Sequence, residues 1–468
     1  MIRPLQTLRA QVARRQRLYA ELLGLWRLAW PILVGQLAVV GTAAIDVAMA
    51  GHASAADLAG VSLGVSIWNM LSISLMGLMM SVNPLVAHAL GANRLDQIPV
   101  LVRQGLWKGL TLGLLASMLA NLCLPLFEHM ALEPDVLSVA QRFVRIASLS
   151  FPLFAVHRVL HGYSTSINQT KPLMIIALLA LALNALANWV LVFGRIGFSP
   201  QGGAGCAWAL LITQGFGVVS LLVWMRYSKA YQSTWPLGRW EWPRGAVLRE
   251  LLHLGWPIGL TYFAETSAFS LIALLVAPLG SVQMAAHQIA LNFTSLVFMV
   301  PLSLGLALLT RVGQSMGAGD PFRAQFQAWT GVALALTLAS VSALCIAWLS
   351  QPIAQLYSPD PAVVGIASQL LLLAALFQLS DATQVVTACA IRGYRVTRPP
   401  MFIHMTAFWL FALPLGYTLG LAPAWLPWQP TQALGARGFW IALVVGLTVA
   451  AVGLSLLLRR VARAHLRR

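Results

Sequence analysis

The chain has 468 residues, 59% of them hydrophobic and only 9% charged, and its mean hydropathy is +0.77. Soluble domains carry about 25% charged residues, so a water-soluble enzyme of this size is excluded and lipid is the natural solvent for the apolar surface. A formal charge of +17 would suit nucleic acid, but apart from Arg142, Arg145, Arg195 and Arg437 the 30 Lys and Arg cluster in the N-terminal segment, alternate connections and the C-terminal tail.

That asymmetry is the positive-inside pattern, with both termini cytoplasmic. A basic inner face against anionic lipid accounts for the charge without a nucleic-acid partner. Residues 1–24 begin the chain in an Arg-rich run with no apolar signal-peptide core. Leu5, Leu8, Val12 and Leu18 set against Arg9, Arg14, Arg15 and Arg17 predict an amphipathic cytoplasmic helix lying on the membrane.

Crossing the hydrocarbon takes about 20 apolar residues per helix. Twelve spans are predicted, near 25–50, 59–89, 101–125, 137–161, 172–194, 203–226, 250–278, 284–311, 325–350, 362–391, 399–421 and 436–458. Pro31, Pro84, Pro152, Pro257, Pro301 and Pro414 fall inside spans, where neighbouring groups re-satisfy the freed backbone and the proline reads as a kink. The cytoplasmic linker 229–249 separates a first half, 25–228, with spans 1–6 from a second half, 250–468, with spans 7–12 and a basic tail. The halves look alike. Trp30-Pro31-Ile32 returns as Trp256-Pro257-Ile258, and Gly91-Ala92 as Gly317-Ala318 at the same offset. Gly162-Tyr163 returns as Gly393-Tyr394, each followed by a basic residue and proline, Lys171-Pro172 and Arg398-Pro399. Six spans per copy give the copies the same orientation, with a site expected between them.

Three acids stand inside apolar spans: Asp46, Glu265 and Asp381. A carboxylate there costs about 2.5–3.5 kcal/mol on insertion scales, so each is expected to face the protein interior, with no buried Lys or Arg to neutralise it. Helical spacing places Thr42 one turn from Asp46, Thr261 and Tyr262 one turn from Glu265, and Phe377, Gln378 and Gln384 beside Asp381. Counting from Arg249 and Arg392 at the inner surface, Glu265 and Asp381 lie roughly 24 and 16 Å deep. A desolvated carboxylate exchanges protons, and with other oxygens it also holds Na⁺. Asn184 and Asn188, one turn apart, are candidates for lining a cavity near Asp46, and Phe293 for an adaptable pocket with Met284, Phe298 and Met299. The histidines show no common ligand spacing, and Cys123, Cys206, Cys345 and Cys389 are isolated packing residues. No phosphate-binding Gly-x-x-x-x-Gly-Lys-Ser/Thr loop is present and no acidic pair stands on a loop to hold Mg²⁺-diphosphate, so an enzyme is not expected.

The sequence resembles the MATE family of multidrug and toxic compound extrusion proteins, in its NorM-like branch. The resemblance is strongest from Gly255 to Gly317, through Phe263-Ala264-Glu265, Ala277-Pro278-Leu279-Gly280, Ala285-Ala286-His287-Gln288, Leu291-Asn292-Phe293, Pro301 and Arg311-Val312-Gly313. Asp46-Val47-Ala48-Met49-Ala50-Gly51, Asn184 with Asn188, Gly202-Gly203-Ala204-Gly205-Cys206 and Asp381-Ala382-Thr383-Gln384 are also similar. The resemblance implies an all-α membrane protein of twelve transmembrane helices, in two pseudo-symmetric six-helix lobes with a V-shaped central cavity. It implies a monomeric antiporter in the bacterial inner membrane that exchanges H⁺ or Na⁺ for cationic amphipathic compounds and uses no cofactor. Asp46 matches the acid tied to ion coupling and to bending of the first helix at its proline. Glu265 and Asp381 match those tied to cation binding, with Na⁺ the candidate metal. Phe377 stands where some relatives have Tyr, which keeps a cation–π contact and removes a hydroxyl ligand. The alternative is a flippase for a lipid-linked precursor on the related fold, which would favour a cavity lined by Lys or Arg.

Overall fold

The computed structural model describes residues 2–129, 132–197, 199–423 and 432–467, with side chains from residue 15 onward. The amphipathic face expected of Leu5, Leu8, Arg9, Val12 and Arg14 therefore lies outside the described side chains, although the backbone there is helical. The described residues contain helices and no strand, as lipid demands of a chain that must satisfy its backbone internally. In order they are α1 (Ile2–Ala53), α2 (Ala55–Met79), α3 (Val82–Gly91), α4 (Gln97–Leu122), α5 (Leu124–Glu128), α6 (Pro134–Ser148), α7 (Ser150–Ser166), α8 (Lys171–Phe193) and α9 (Gly203–Tyr227). There follow α10 (Gly245–Val276), α11 (Ser281–Gly317), α12 (Pro321–Tyr357), α13 (Pro361–Gly393), α14 (Arg398–Met405), α15 (Leu413–Leu421) and α16 (Ala436–Leu466). A π-helical turn, Thr406–Ala412, joins α14 to α15. Among the described residues eleven helices are long and apolar enough to cross a membrane, and there are twelve spans if α6 and α7, bent by 43° at their junction, count as one.

The helices pack into two units, one of residues 34–266 and the other of residues 1–33 with 267–468. The borders expected at 25 and 250 thus fall inside two helices, α1 and α10, each of which begins in one unit and ends in the other. α1 changes unit next to Pro31, whose missing N–H and ring remove a helical hydrogen bond and permit a bend there. No break separates residues 15–24 from the first span. Glu21 is fixed within the 1–33/267–468 unit, where it pairs with Arg311 and Arg323 and accepts a hydrogen bond from Gln327 at 3.0 Å.

In the 34–266 unit, α2 lies along α6, α4 along α7, and α8 along α9, around a core that includes Val61, Phe143, Phe151, Leu160 and Leu221. Gly77 lets α2 approach α10 closely, since a Cβ there would meet Gly259 Cα at 2.7 Å. The linker is a docked strap rather than a free connection. Arg103 pairs with Glu241 and donates to Pro236 O, Gln104 donates to Trp242 O, and Trp107 donates to Glu241 O. Tyr231 donates to Ser164, and burial pushes its phenol up to about 12, so it stays a neutral donor. In the other unit α13 is the central helix, packed on α11, α12 and α16.

The repeat is visible in the helix ends. α3 stops at Gly91 and α11 at Gly317; the second residue beyond each, Asn93 and Gly319, has a left-handed backbone with φ of 56° and 74°. Gly202 and Gly435 open α9 and α16 with nearly equal angles, φ 54° and ψ −138° against φ 59° and ψ −141°. Asp57 accepts from Gly203 N, and Gln283 accepts from Ala436 N at 2.8 Å. Each unit thus uses a side chain near the start of its second span to satisfy an orphan amide at the start of its sixth.

Candidate ion-coupling site

Asp46 lies half-buried on the part of α1 that belongs to the 34–266 unit. Its Oδ1 accepts hydrogen bonds from Asn184 Nδ2 at 3.1 Å and Asn188 Nδ2 at 2.7 Å, both on α8 and both fully buried. The Asn188 amide is also within reach of Asn184 O at 3.0 Å and Asn184 Oδ1 at 3.1 Å. Asn188 Oδ1 is buried with no hydrogen-bond partner among the described residues. The Cys206 thiol points to Asp46 O at 3.6 Å. Thr42, expected to share the polar stripe, donates back to Ala38 O at 3.0 Å and so satisfies its own helix. The chemistry of the arrangement is simple. Ionised, the carboxylate takes two amide donors on one oxygen; protonated on Oδ2, it keeps both donors on the carbonyl oxygen. Its charge can change without any movement of the asparagines.

Asp381 is 3% exposed on α13. Gln384 Nε2 donates to Asp381 Oδ1 at 3.1 Å, Gln384 Oε1 lies 2.6 Å from His404 Nε2, and His404 Nδ1 lies 2.8 Å from Pro400 O. Both imidazole nitrogens face oxygens in this assignment, which suits a doubly protonated ring beside an ionised Asp381. Turning the Gln384 amide over suits a neutral ring and a protonated Asp381 instead. Gln378, three residues before Asp381 and on the same face, has a buried Oε1 with no partner among the described residues. Phe377 is enclosed by Phe269 at 6.2 Å and Trp440 at 5.7 Å between ring centroids, and the Trp440 indole donates to His287 Nδ1 at 3.1 Å.

Glu265 and Tyr262 are half-buried on α10, Glu265 one residue before the last of the 34–266 unit. Phe293 on α11 packs on the core of the other unit. The structure therefore brings Asp46 together with Asn184 and Asn188, and Asp381 with Gln384. Among the described residues no three His, Cys, Asp or Glu are grouped closely enough to hold a metal, and all four cysteines are free.

The expectation of no buried Lys or Arg is corrected. Lys108 is 2% exposed and donates to Leu78 O at 2.8 Å and Ser81 Oγ at 2.6 Å, so it satisfies carbonyl and hydroxyl groups where α2 ends. Arg392 is 4% exposed in the last turn of α13. Lys108 stands well inside the 101–125 run, and that position was the available signal. His404 was missed because its partner Gln384 lies 20 residues away.

A polytopic α-helical membrane protein, duplicated in sequence and in its helix caps and carrying carboxylates inside its spans, is the class these features define. The family model for MatE matches residues 31–190 and 257–418, beginning at the two prolines of the Trp-Pro-Ile repeat, and the chain belongs to this family. "Multidrug resistance protein PmpM" of Pseudomonas aeruginosa is 42% identical over 457 residues, covering 97% of this chain and 95% of that protein. "Probable multidrug resistance protein NorM" of Chromobacterium violaceum is 40% identical, covering 97% of both. Among solved structures, the eukaryotic MATE transporter AtDTX14 superposes with a TM-score of 0.85 at 20% identity, covering 96% of this chain and 98% of that one, which shows the shared fold.

Proposed function

We propose that this protein is a secondary active multidrug efflux antiporter that admits H⁺ or Na⁺ and exports cationic amphipathic compounds by alternating access. Family membership makes it a transporter rather than an enzyme, and relatives at 40–42% identity carry multidrug resistance in their names. The observation that carries the ion-coupled reading is the Asp46 carboxylate inside a membrane span, held by the buried amides of Asn184 and Asn188.

Asp46 is the proton-exchanging group in this reading. Vacated, its negative charge attracts a cationic compound entering from the cytoplasm; reoccupied by an ion from outside, it no longer does, and the compound leaves. Glu265 and Asp381 are the further coupling acids, and Na⁺ would be taken by the Asp381 carboxylate with the unpartnered Oε1 of Gln378 as a further oxygen. Asp46 lies on α1 and Glu265 on α10, the two helices whose residues are divided between the packing units. A charge crossing the full potential contributes about 2.3 kcal/mol per 100 mV. Both termini face the cytoplasm of a bacterial inner membrane, and the protein works as a monomer.

Transport of ethidium in proteoliposomes, with ΔpH and ΔNa⁺ imposed separately, tests the proposal. Asp46→Asn is expected to abolish ethidium export while the protein still folds. Export by Asp46→Asn at the wild-type rate under both gradients would overturn the carboxylate mechanism.

A further inference from the structure

A second constellation in the 34–266 unit plays no part in the ion-coupled reading. On α7, His161 lies one turn from both His157 and Arg158, four and three residues on, and all three are half-buried. None of their side chains makes a hydrogen bond or an ion pair with the described residues, and Arg158 Nε is buried with no partner. The Arg158 guanidinium sits over the Phe154 ring, 5.0 Å from its centroid. The His157 and His161 rings are 6.3 Å apart. Gly217 on α9 packs beside His157: a Cβ there would sit 3.4 Å from the imidazole, an ordinary contact. Tyr262 on α10 lies within electrostatic range of Arg158.

Polar groups in a membrane span must be satisfied, and a guanidinium against lipid is strongly disfavoured. Three such side chains left unbonded within one turn of a helix therefore call for water or a polar ligand as partner. The sign of that partner is fixed by the Arg158 cation. The cation–π contact takes none of the guanidinium N–H donors, which are left for a two-toothed hydrogen bond to an oxyanion. The nearby imidazoles are further donors. His157 and His161, one turn apart, have a spacing that could hold a metal and that the sequence reading passed over, but the adjoining Arg158 cation opposes a divalent ion.

We propose that His157, Arg158 and His161 form an anion subsite that takes a carboxylate or phosphate oxyanion of an organic molecule. Within the multidrug efflux reading, on which the substrate arm rests, that molecule is an amphoteric compound bearing both signs of charge. The other source of the same chemistry is an anionic lipid headgroup. Measured along α7, Arg158 is roughly 12 Å from the helix end at Ser166 that leads to Lys171, a depth that either source can reach.

The test is binding of a zwitterionic rhodamine with a free carboxylate, and of its methyl ester, by fluorescence polarisation. The full-length protein is held in nanodiscs of phosphatidylcholine, with and without phosphatidylglycerol. Arg158→Gln is expected to weaken the zwitterion by about tenfold and to leave the ester within about twofold, because only the charged hydrogen bond is lost. Arg158→Lys should recover part of the loss. If instead phosphatidylglycerol weakens zwitterion binding to wild type and not to Arg158→Gln, the subsite holds a lipid headgroup. Equal losses for both dyes, or no Arg158-dependent change in either lipid, would overturn the proposal. Failure of wild type to bind the ester speaks against the efflux reading alone, since an Arg158-dependent effect of zwitterion or lipid would leave the anion subsite standing.

Discussion

At Asp46, two amides converge on one carboxylate oxygen, and the second oxygen has no hydrogen bond among the described residues. A volume-conserving change at the shorter contact separates the role of these donors from mere packing. Asn188→Leu removes the 2.7 Å donor and also the orphaned Oδ1. We expect ethidium export to fall by about tenfold or more, since a charged hydrogen bond contributes about 1.5–3 kcal/mol. Thermal unfolding in detergent should move little, because an apolar group of similar shape fills the fully buried position; export at the wild-type rate would show that the asparagines only pack. The three acids and the Asn184/Asn188 pair were legible in the sequence because a polar residue inside an apolar run is costly and seldom accidental. Lys108, Arg158 and His404 were not legible in the same way. Lys108 is satisfied by a backbone carbonyl and a serine 27 residues away, and His404 by Gln384; such pairings depend on tertiary packing. Arg158 was absorbed into the count of inner-surface cations.

Among the helices, α2 meets the first part of α10 through glycine on glycine, and the contact is backbone against backbone. Gly77→Val would drive its side chain into Gly259, whose Cα already lies 2.7 Å from the place a Cβ would take. A loss of about 1–3 kcal/mol is expected from overpacking, seen as a lower unfolding temperature in detergent; an unchanged temperature would mean that the helices separate freely there. The spans themselves were readable from length and hydropathy. The break between α6 and α7 was signalled by Pro152, whose missing N–H cannot bond the carbonyl of Ser148 at the end of α6. The unity of residues 15–53 escaped the sequence, since Arg-rich composition resembles a surface segment. Glu21, the sole acid before Asp46, was the clue that this stretch is tied to Arg311 and Arg323.

Across the whole chain, the duplication is written twice, in short sequence echoes and in matching helix caps. Asp57 and Gln283 do the same work in the two copies with different chemistry, which is why residue identity alone could not reveal that part of the repeat. The membrane acids do not follow the repeat: Asp46 and Glu265 lie at different places along their spans. In the proposed function the two copies therefore carry different ion chemistry on a common frame. Central to that function is competition between a cationic compound and a small cation for the charge of Asp46. The most direct measurement adds ethidium to the purified protein in weakly buffered detergent solution and follows the ion released, H⁺ with a pH dye and Na⁺ with a sodium electrode. Wild type is predicted to release H⁺ as ethidium binds, and Asp46→Asn to release no H⁺, whatever Na⁺ the Asp381 carboxylate gives up. Undiminished H⁺ release from Asp46→Asn would contradict the claim.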